Sequence, residues 1–249
     1  MSLPVRPSPY ILPSYSLTGD LISFMRCGLQ YRYHVVGRLP SSNPVQMWFG
    51  QFIHAVLEES YRIYNESIKI KTPNLPPWSD ADILEIVNRI ERRLAVQGLV
   101  AWDDEVRNMG IERAKLAVNE LGPDLFPLIH QAEVRLTGTR YLPAIKARYR
   151  FREANRYEVL GVVDVITHIQ LHDKRFKNNR IVKNILASLP AGIPDDFEVI
   201  IDYKGMRRPP NVVPTPGHSL WDQYKWQIQT YAHLRQKQIG SLPVVAGAL

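Results

Sequence analysis

Asp164, Asp202 and Lys204 are charged side chains set in stretches that otherwise read as buried β-strand. An isolated carboxylate in such a place is strongly disfavoured unless it is paired, hydrogen-bonded or bound to a metal ion, so these positions mark a site. VLGVVDVITHI, from Val159 to Ile169, is rich in β-branched residues and apolar on both faces, the pattern of a central strand covered by helices on each side, with Asp164 in its middle. In FEVIIDYKG, from Phe197 to Gly205, the two-residue period puts Phe197, Val199, Ile201 and Tyr203 on one face and Ile200, Asp202 and Lys204 on the other. Asp202 and Lys204 then point the same way, about 7 Å apart along the strand. If the two strands are neighbours in one sheet, two carboxylates and one ammonium assemble into a cluster.

Further polar residues keep company with these. Gln227 and Tyr231 are spaced i, i+4 on a helical stretch and share a face with Leu220, Tyr224 and Leu234. A glutamine within an apolar stripe needs partners, as any buried amide does. Tyr231 alone reads equally as a core aromatic with its hydroxyl satisfied. His54 stands four residues after Gly50 and one helical turn before Glu58; it is open to an i, i+4 pairing with Glu58, to an interior role, or to metal ligation. Arg207 and Arg208 leave the second strand where its charges are. Lys174, Arg175, Lys177, Arg180 and Lys183 crowd the connection between the two strands, where they read equally as a solvated hairpin tip or as part of a polyanion-binding face.

The elements that must position these residues follow from pattern. Residues 1–13 contain four prolines and read as an extended arm. Ser14 to Val36 is helical in pattern, with Leu21, Ile22, Phe24, Met25, Leu29 and Tyr33 as its apolar face. A second helix begins near Trp48 and carries Phe52, Ile53, Val56, Leu57, Tyr61 and Tyr64 at helical spacing. After the loop KTPNLPPW, Asp80 to Leu121 reads as two or more helices, taken as an insertion over the sheet at about 80–122. QAEVRLTGT around Val134 and the segment Ile145 to Phe151 read as strands leading to Asp164. Ser219 with Asp222 resembles a capping arrangement for the helix LWDQYKWQIQTYAHLRQK, and SLPVVAGAL reads as the start of a last strand. Residues 14–249 are expected to form one domain on a mixed central sheet flanked by helices, an α/β fold.

Composition bounds the function classes. With one cysteine, Cys27, the sequence offers no internal disulfide, zinc ribbon or four-cysteine iron–sulfur site, and Cys27 itself reads as a small buried residue. Thirty-one Lys and Arg against 24 Asp and Glu give a net charge of +7, which suits a polyanionic partner. No apolar run approaches the roughly 20 residues needed to span a bilayer, and MSLPVRPSPY lacks the apolar stretch of a secretory signal, so a cytoplasmic location with no membrane partner is expected.

Taken in order, Gly50-x-x-x-His54 on a helix, Gly161-x-x-Asp164 on a strand, Asp202-x-Lys204 on the next strand and Gln227-x-x-x-Tyr231 on a helix resemble the PD-(D/E)xK nuclease superfamily. The histidine, the YRY after Cys27 and the Gln/Tyr motif are similar to its RecB-type branch, over roughly Ser14 to Leu234. Val163 stands where many members have proline, Asp202 where others have glutamate, and the C-terminal cysteine trio of the iron–sulfur members is absent. The chain also stops where the family usually adds further strand or helix, which reads as a C-terminal truncation.

The resemblance implies a restriction-endonuclease-like fold and a metal-dependent nuclease acting on DNA, as an exonuclease in repair, recombination or defence, with a helicase or recombination partner delivering substrate. In its terms Asp164, Asp202 and the Tyr203 carbonyl hold Mg²⁺ or Mn²⁺, His54 adds a nitrogen that favours Mn²⁺, and Lys204 is the catalytic ammonium. Gln227 and Tyr231 orient Lys204 or a phosphate, while Arg207, Arg208 and Lys225 contact the DNA backbone. Glu133 is an outer-shell ligand in the same terms and a surface strand residue in the plainer one. The competing expectations are a non-catalytic nucleic-acid-binding or assembly module on the same fold, and a hydrolase of small phosphate esters.

Overall fold

The β-branched run around Asp164 forms the middle of the longest strand, and the rest of the sheet is built on it. The computed structural model describes residues 12–39, 45–141, 156–205 and 220–249. Its strands are β1 (Ser14–Ser16), β2 (Ile129–Tyr141), β3 (Arg156–Gln170), β4 (Asp196–Ile201) and β5 (Val244–Ala248). β2 runs antiparallel along β3 from Ile129↔Thr167 to Tyr141↔Arg156. The other edge of β3 is shared: β1 pairs with it in parallel at Glu158 to Leu160, and β4 antiparallel at Val165 to Gln170. β5 adds in parallel to β4, so the sheet is mixed.

Helices cover both faces. α3 (Val45–Lys69), α4 (Asp80–Val96) and α5 (Asp104–Leu125) pack on one side, where Phe52, Val56, Ile83, Ile90 and Val118 meet Val165, Ile169, Phe197, Val199 and Ile201 in one buried cluster. On the other side α8 (Leu220–Gln236) contributes Tyr231 and Leu234 to a cluster with Leu17, Ile22, Leu136, Val159, Val163, Ile166 and Ile200. β4 therefore alternates as expected, with Phe197, Val199 and Ile201 toward α3 and Ile200 toward α8. Local signals set the helix starts: the Ser79 hydroxyl accepts the Asp82 N–H at 3.2 Å to cap α4, and the Asp103 carboxylate accepts the Val106 N–H at 2.8 Å to cap α5. α8 is tied to β4 by a buried pair in which Arg235 Nε and Nη2 donate to the Glu198 carboxylate at 2.7 and 2.6 Å.

Several expectations need correction. Ser14 to Val36 is no continuous helix: after β1 come π-helical turns at Leu17–Ile22 and Arg32–Val36, with α1 (Ser23–Arg26) and α2 (Gly28–Tyr31) between them. Cys27 separates α1 from α2 in extended conformation, so the apolar residues never align into one stripe; Ile22 is buried, but Phe24, Met25, Leu29 and Tyr33 are more than half exposed. Cys27 itself is exposed, its sulfur accepting the Gln30 N–H at 3.4 Å. The basic run after β3 is no hairpin tip, because it folds into α6 (Lys174–Lys177) and α7 (Arg180–Ser188). Within it Arg175 pairs with Asp173 and Arg180 with Asp124. The second helix starts at Val45, ahead of Trp48, and β4 ends at Ile201, ahead of the charged residues. Residues 1–11, the strand proposed at Ile145 to Phe151, Arg207, Arg208 and the Ser219 cap lie outside the described residues.

Candidate active site

The site forms where β4 peels away from β3. The register Val165↔Ile201 brings Asp164 level with Asp202, one step past the end of β4. The sheet ladder does not continue there. Instead the Tyr203 backbone N–H donates to Asp164 Oδ2 at 2.6 Å, so the carboxylate takes the place of a strand carbonyl, while the Asp202 N–H still donates to the Ala248 carbonyl at 3.0 Å. The chain then runs against α3. A Cβ on Gly205 would lie 2.8 Å from the Gly50 Cα, a separation side chains do not tolerate, so glycine at 205 permits this approach.

His54, on the turn of α3 after Gly50, faces this junction. Its Nδ1 lies 3.5 Å from Asp164 Oδ2, and its ring meets Tyr203 edge-on with centroids 5.6 Å apart. The pairing with Glu58 does not form; Glu58 lies 3.8 Å from Arg93. Burial disfavours the protonated imidazole, but hydrogen bonding and attraction to Asp164, with help from the Tyr203 backbone and Asp202, outweigh it and raise the His54 pKa.

Glu133 completes the group. Ala132↔Val165 and Val134↔Val163 leave it level with Asp164, and its backbone holds φ at +52°, a conformation few non-glycine residues adopt. One ligand atom each from His54, Glu133 and Asp164 lie within 4.8 Å of one another. Glu133 keeps much of its surface open to solvent, yet partial desolvation among its neighbours raises its pKa to about 7, reinforced by Asp164, Glu58 and Asp202 and opposed by His54. A neutral-range carboxyl beside other carboxylates is what a divalent cation would relieve, and an imidazole with two carboxylates is a donor set that fits one. Glu133 is exposed, as a surface strand residue is, and its carboxylate also lies within reach of His54 and Asp164; the missing signal was a backbone kink that no local sequence pattern announces.

Asp202 is held apart from that trio. It is 4 % exposed and ion-paired with Lys204, and the Gln227 Nε2 donates to its Oδ1 at 3.2 Å. Burial raises its pKa, Lys204 works against that, and Asp164 adds to it. Gln227 is the hub: its Oε1 accepts from Lys204 Nζ at 3.1 Å, and its Nε2 also donates to the Tyr231 hydroxyl at 3.1 Å. The phenol of Tyr231 is pushed up by burial. Lys204 also sits 4.8 Å over the Tyr224 ring, a contact not foreseen although Tyr224 lies one turn before Gln227. Lys225 is on the exposed face of α8, away from this network. A cleft of about 660 Å³ opens beside His54 and Glu133 and is lined by Gly50, Gln51, Glu58 and Arg93.

A helix-flanked mixed sheet with this charged junction at its centre is the restriction-endonuclease-like architecture. The sequence profile of the PD-(D/E)XK nuclease superfamily matches residues 19–171, more than half of the chain, and the protein belongs to that superfamily. The match spans His54, Glu133 and Asp164 and ends before Asp202. No curated protein matches the sequence. Membership implies a hydrolase acting on nucleic acid with divalent metal. Among the described residues no helix is long and apolar enough to cross a membrane.

Proposed function

We propose that the protein is a divalent-metal-dependent deoxyribonuclease of the RecB-type branch without an iron–sulfur cluster, hydrolysing phosphodiester bonds as an exonuclease in repair, recombination or defence. The observation that carries the reading is the convergence of His54, Glu133 and Asp164 beside the Asp202–Lys204–Gln227 network. His54, Asp164 and Glu133 would hold the ion, with Asp202 and the Tyr203 carbonyl adjacent, and the imidazole nitrogen favours Mn²⁺ over Mg²⁺. The ion supplies neutralisation of phosphoryl charge and a lowered pKa for water. Lys204, placed by Gln227 and the Tyr224 ring, orients the attacking water and stabilises charge on the pentavalent phosphorus. Gln227 links Lys204 to Asp202, and Tyr231 fixes Gln227. Asp164 has a second task, since its hydrogen bond to the Tyr203 N–H aims the chain that bears Lys204. Arg207, Arg208 and Lys225 are assigned to the DNA backbone.

The single-domain organisation with α4 and α5 as an insertion is supported by their sharing one core cluster with β3 and β4. Delivery of substrate by a helicase or recombination partner remains part of this reading.

Lys204→Ala and Asp164→Ala are each expected to abolish Mg²⁺- or Mn²⁺-dependent degradation of DNA while leaving the circular dichroism spectrum unchanged. Undiminished cleavage by either folded variant would sink the assignment. Linear and circular DNA compared on one gel tests the exonuclease part: degradation of both forms at equal rates overturns it.

A further inference from the structure

The clefts among the described residues differ in charge. The one beside His54 is lined by Glu58 and Glu133 with one arginine, Arg93, and another, at Trp48 and Leu99, by Glu91, Asp103 and Asp104 with Arg107. A third, of about 490 Å³, lies between the end of β2 and α8, and none of its lining residues is acidic. It carries Arg140 from β2 and Lys237 just beyond α8, both exposed and neither side chain hydrogen-bonded or ion-paired among the described residues.

The groove runs along α8, the helix that carries Gln227. Trp226, Thr230, His233 and Lys237 are spaced i, i+4, i+7 and i+11, so they form one stripe about 16 Å long. The neighbouring stripe of the same helix, Gln227, Tyr231 and Leu234, is the buried one that holds the Lys204 network. Trp226, at one end of the groove, is the chain neighbour of Gln227, and the rest of the stripe runs along α8 toward its C-terminal end, away from Gln227. Its length matches about four or five nucleotides of a duplex strand at roughly 3.4 Å each.

We propose that this groove seats the backbone of the nucleic-acid strand extending beyond the site, with Arg140 and Lys237 contacting its phosphates. The inference rests on the nuclease reading. Such contacts position a polyanion without reading its bases. Arg140 and Lys237 are remote from the reacting centre, so they act on binding and not on the chemical step.

The test is fluorescence anisotropy with labelled oligonucleotides, single-stranded and duplex, in EDTA, comparing the full chain with the Arg140→Ala, Lys237→Ala double variant. A control pair, Lys69→Ala with Arg113→Ala, removes two exposed cations that do not line the groove. The groove variant is expected to bind about tenfold more weakly, with a plot of log affinity against log salt less steep by about 1.4 to 1.8, the loss of two phosphate contacts. In the cleavage assay with Mn²⁺, KM should rise while kcat stays within twofold. Wild-type affinity and slope in the groove variant, or an equal loss in the control pair, overturns the proposal. So does loss of binding to polyglutamate with binding to DNA intact, which would assign the groove to an acidic protein. Wild-type protein that binds and cleaves DNA while the groove variant matches it leaves the nuclease reading standing and removes only the groove. Wild-type protein that neither binds nor cleaves removes both.

Discussion

Glu133 decides how the charges at the junction balance. Partial desolvation, with Asp164, Glu58 and Asp202 adding to it and His54 opposing, raises the pKa of this carboxyl to about 7, and a bound cation would reverse that. Glu133→Gln retains the size and the backbone kink but removes the charge. Titration calorimetry with Mn²⁺ is expected to show affinity reduced by about 10- to 100-fold, the loss typical of a disturbed metal environment. An unchanged affinity would place Glu133 outside the metal's surroundings and leave His54 and Asp164 as the binding pair. The contrast with Asp202 is instructive. It stands out in the sequence as a candidate because a charge in an apolar strand is anomalous on its face. Glu133, in a strand with one polar face, looked ordinary, and only the register sets it opposite Asp164.

At the scale of elements, the strands and α8 were readable because their patterns are local: two-residue alternation in β4 and the Gln227, Tyr231, Leu234 spacing in α8 both survive folding. The first helix was not readable in that way. Apolar spacing does not report a break, and the extended backbone at Cys27 scatters Phe24, Leu29 and Tyr33 toward solvent. Gly161 was legible as part of a motif, and the fold supplies its cause. A Cβ there would lie 2.6 Å from Tyr231 Cε1, so glycine lets α8 lie close enough on β3 for Gln227 to reach Asp202. Gly161→Ala should cost about 1–3 kcal/mol by overpacking, measured by chemical denaturation. Nuclease activity should fall further than the loss of folded protein explains, because the displaced helix carries Gln227. A variant with full stability and activity would mean that α8 has slack at this contact.

The whole molecule depends on the helical layer staying docked to the sheet, and one buried carboxylate ties α3 to α4. Glu59 is 6 % exposed, accepts from Arg62 Nε and Nη2 at 3.0 and 2.6 Å, and accepts from Arg89 Nη1 of α4 at 2.6 Å. The Arg62 hydrogen bonds hold its pKa below the ordinary carboxylate value, burial pulls the other way, and Arg89 adds to the lowering. A depressed folded-state pKa contributes stability that is present above the unfolded value, near 4.5, and is lost as pH falls through the folded one. Both arginines are about half exposed, so solvent screening limits the contribution to about 1 kcal/mol. Glu59→Gln should therefore be less stable than wild type by about that amount at pH 7 in urea denaturation. The two proteins should converge as pH drops below 4, where Glu59 in the wild type takes up its proton. A gap that persists undiminished at pH 3 would show that packing of the side chain, and not its charge, holds the two helices together.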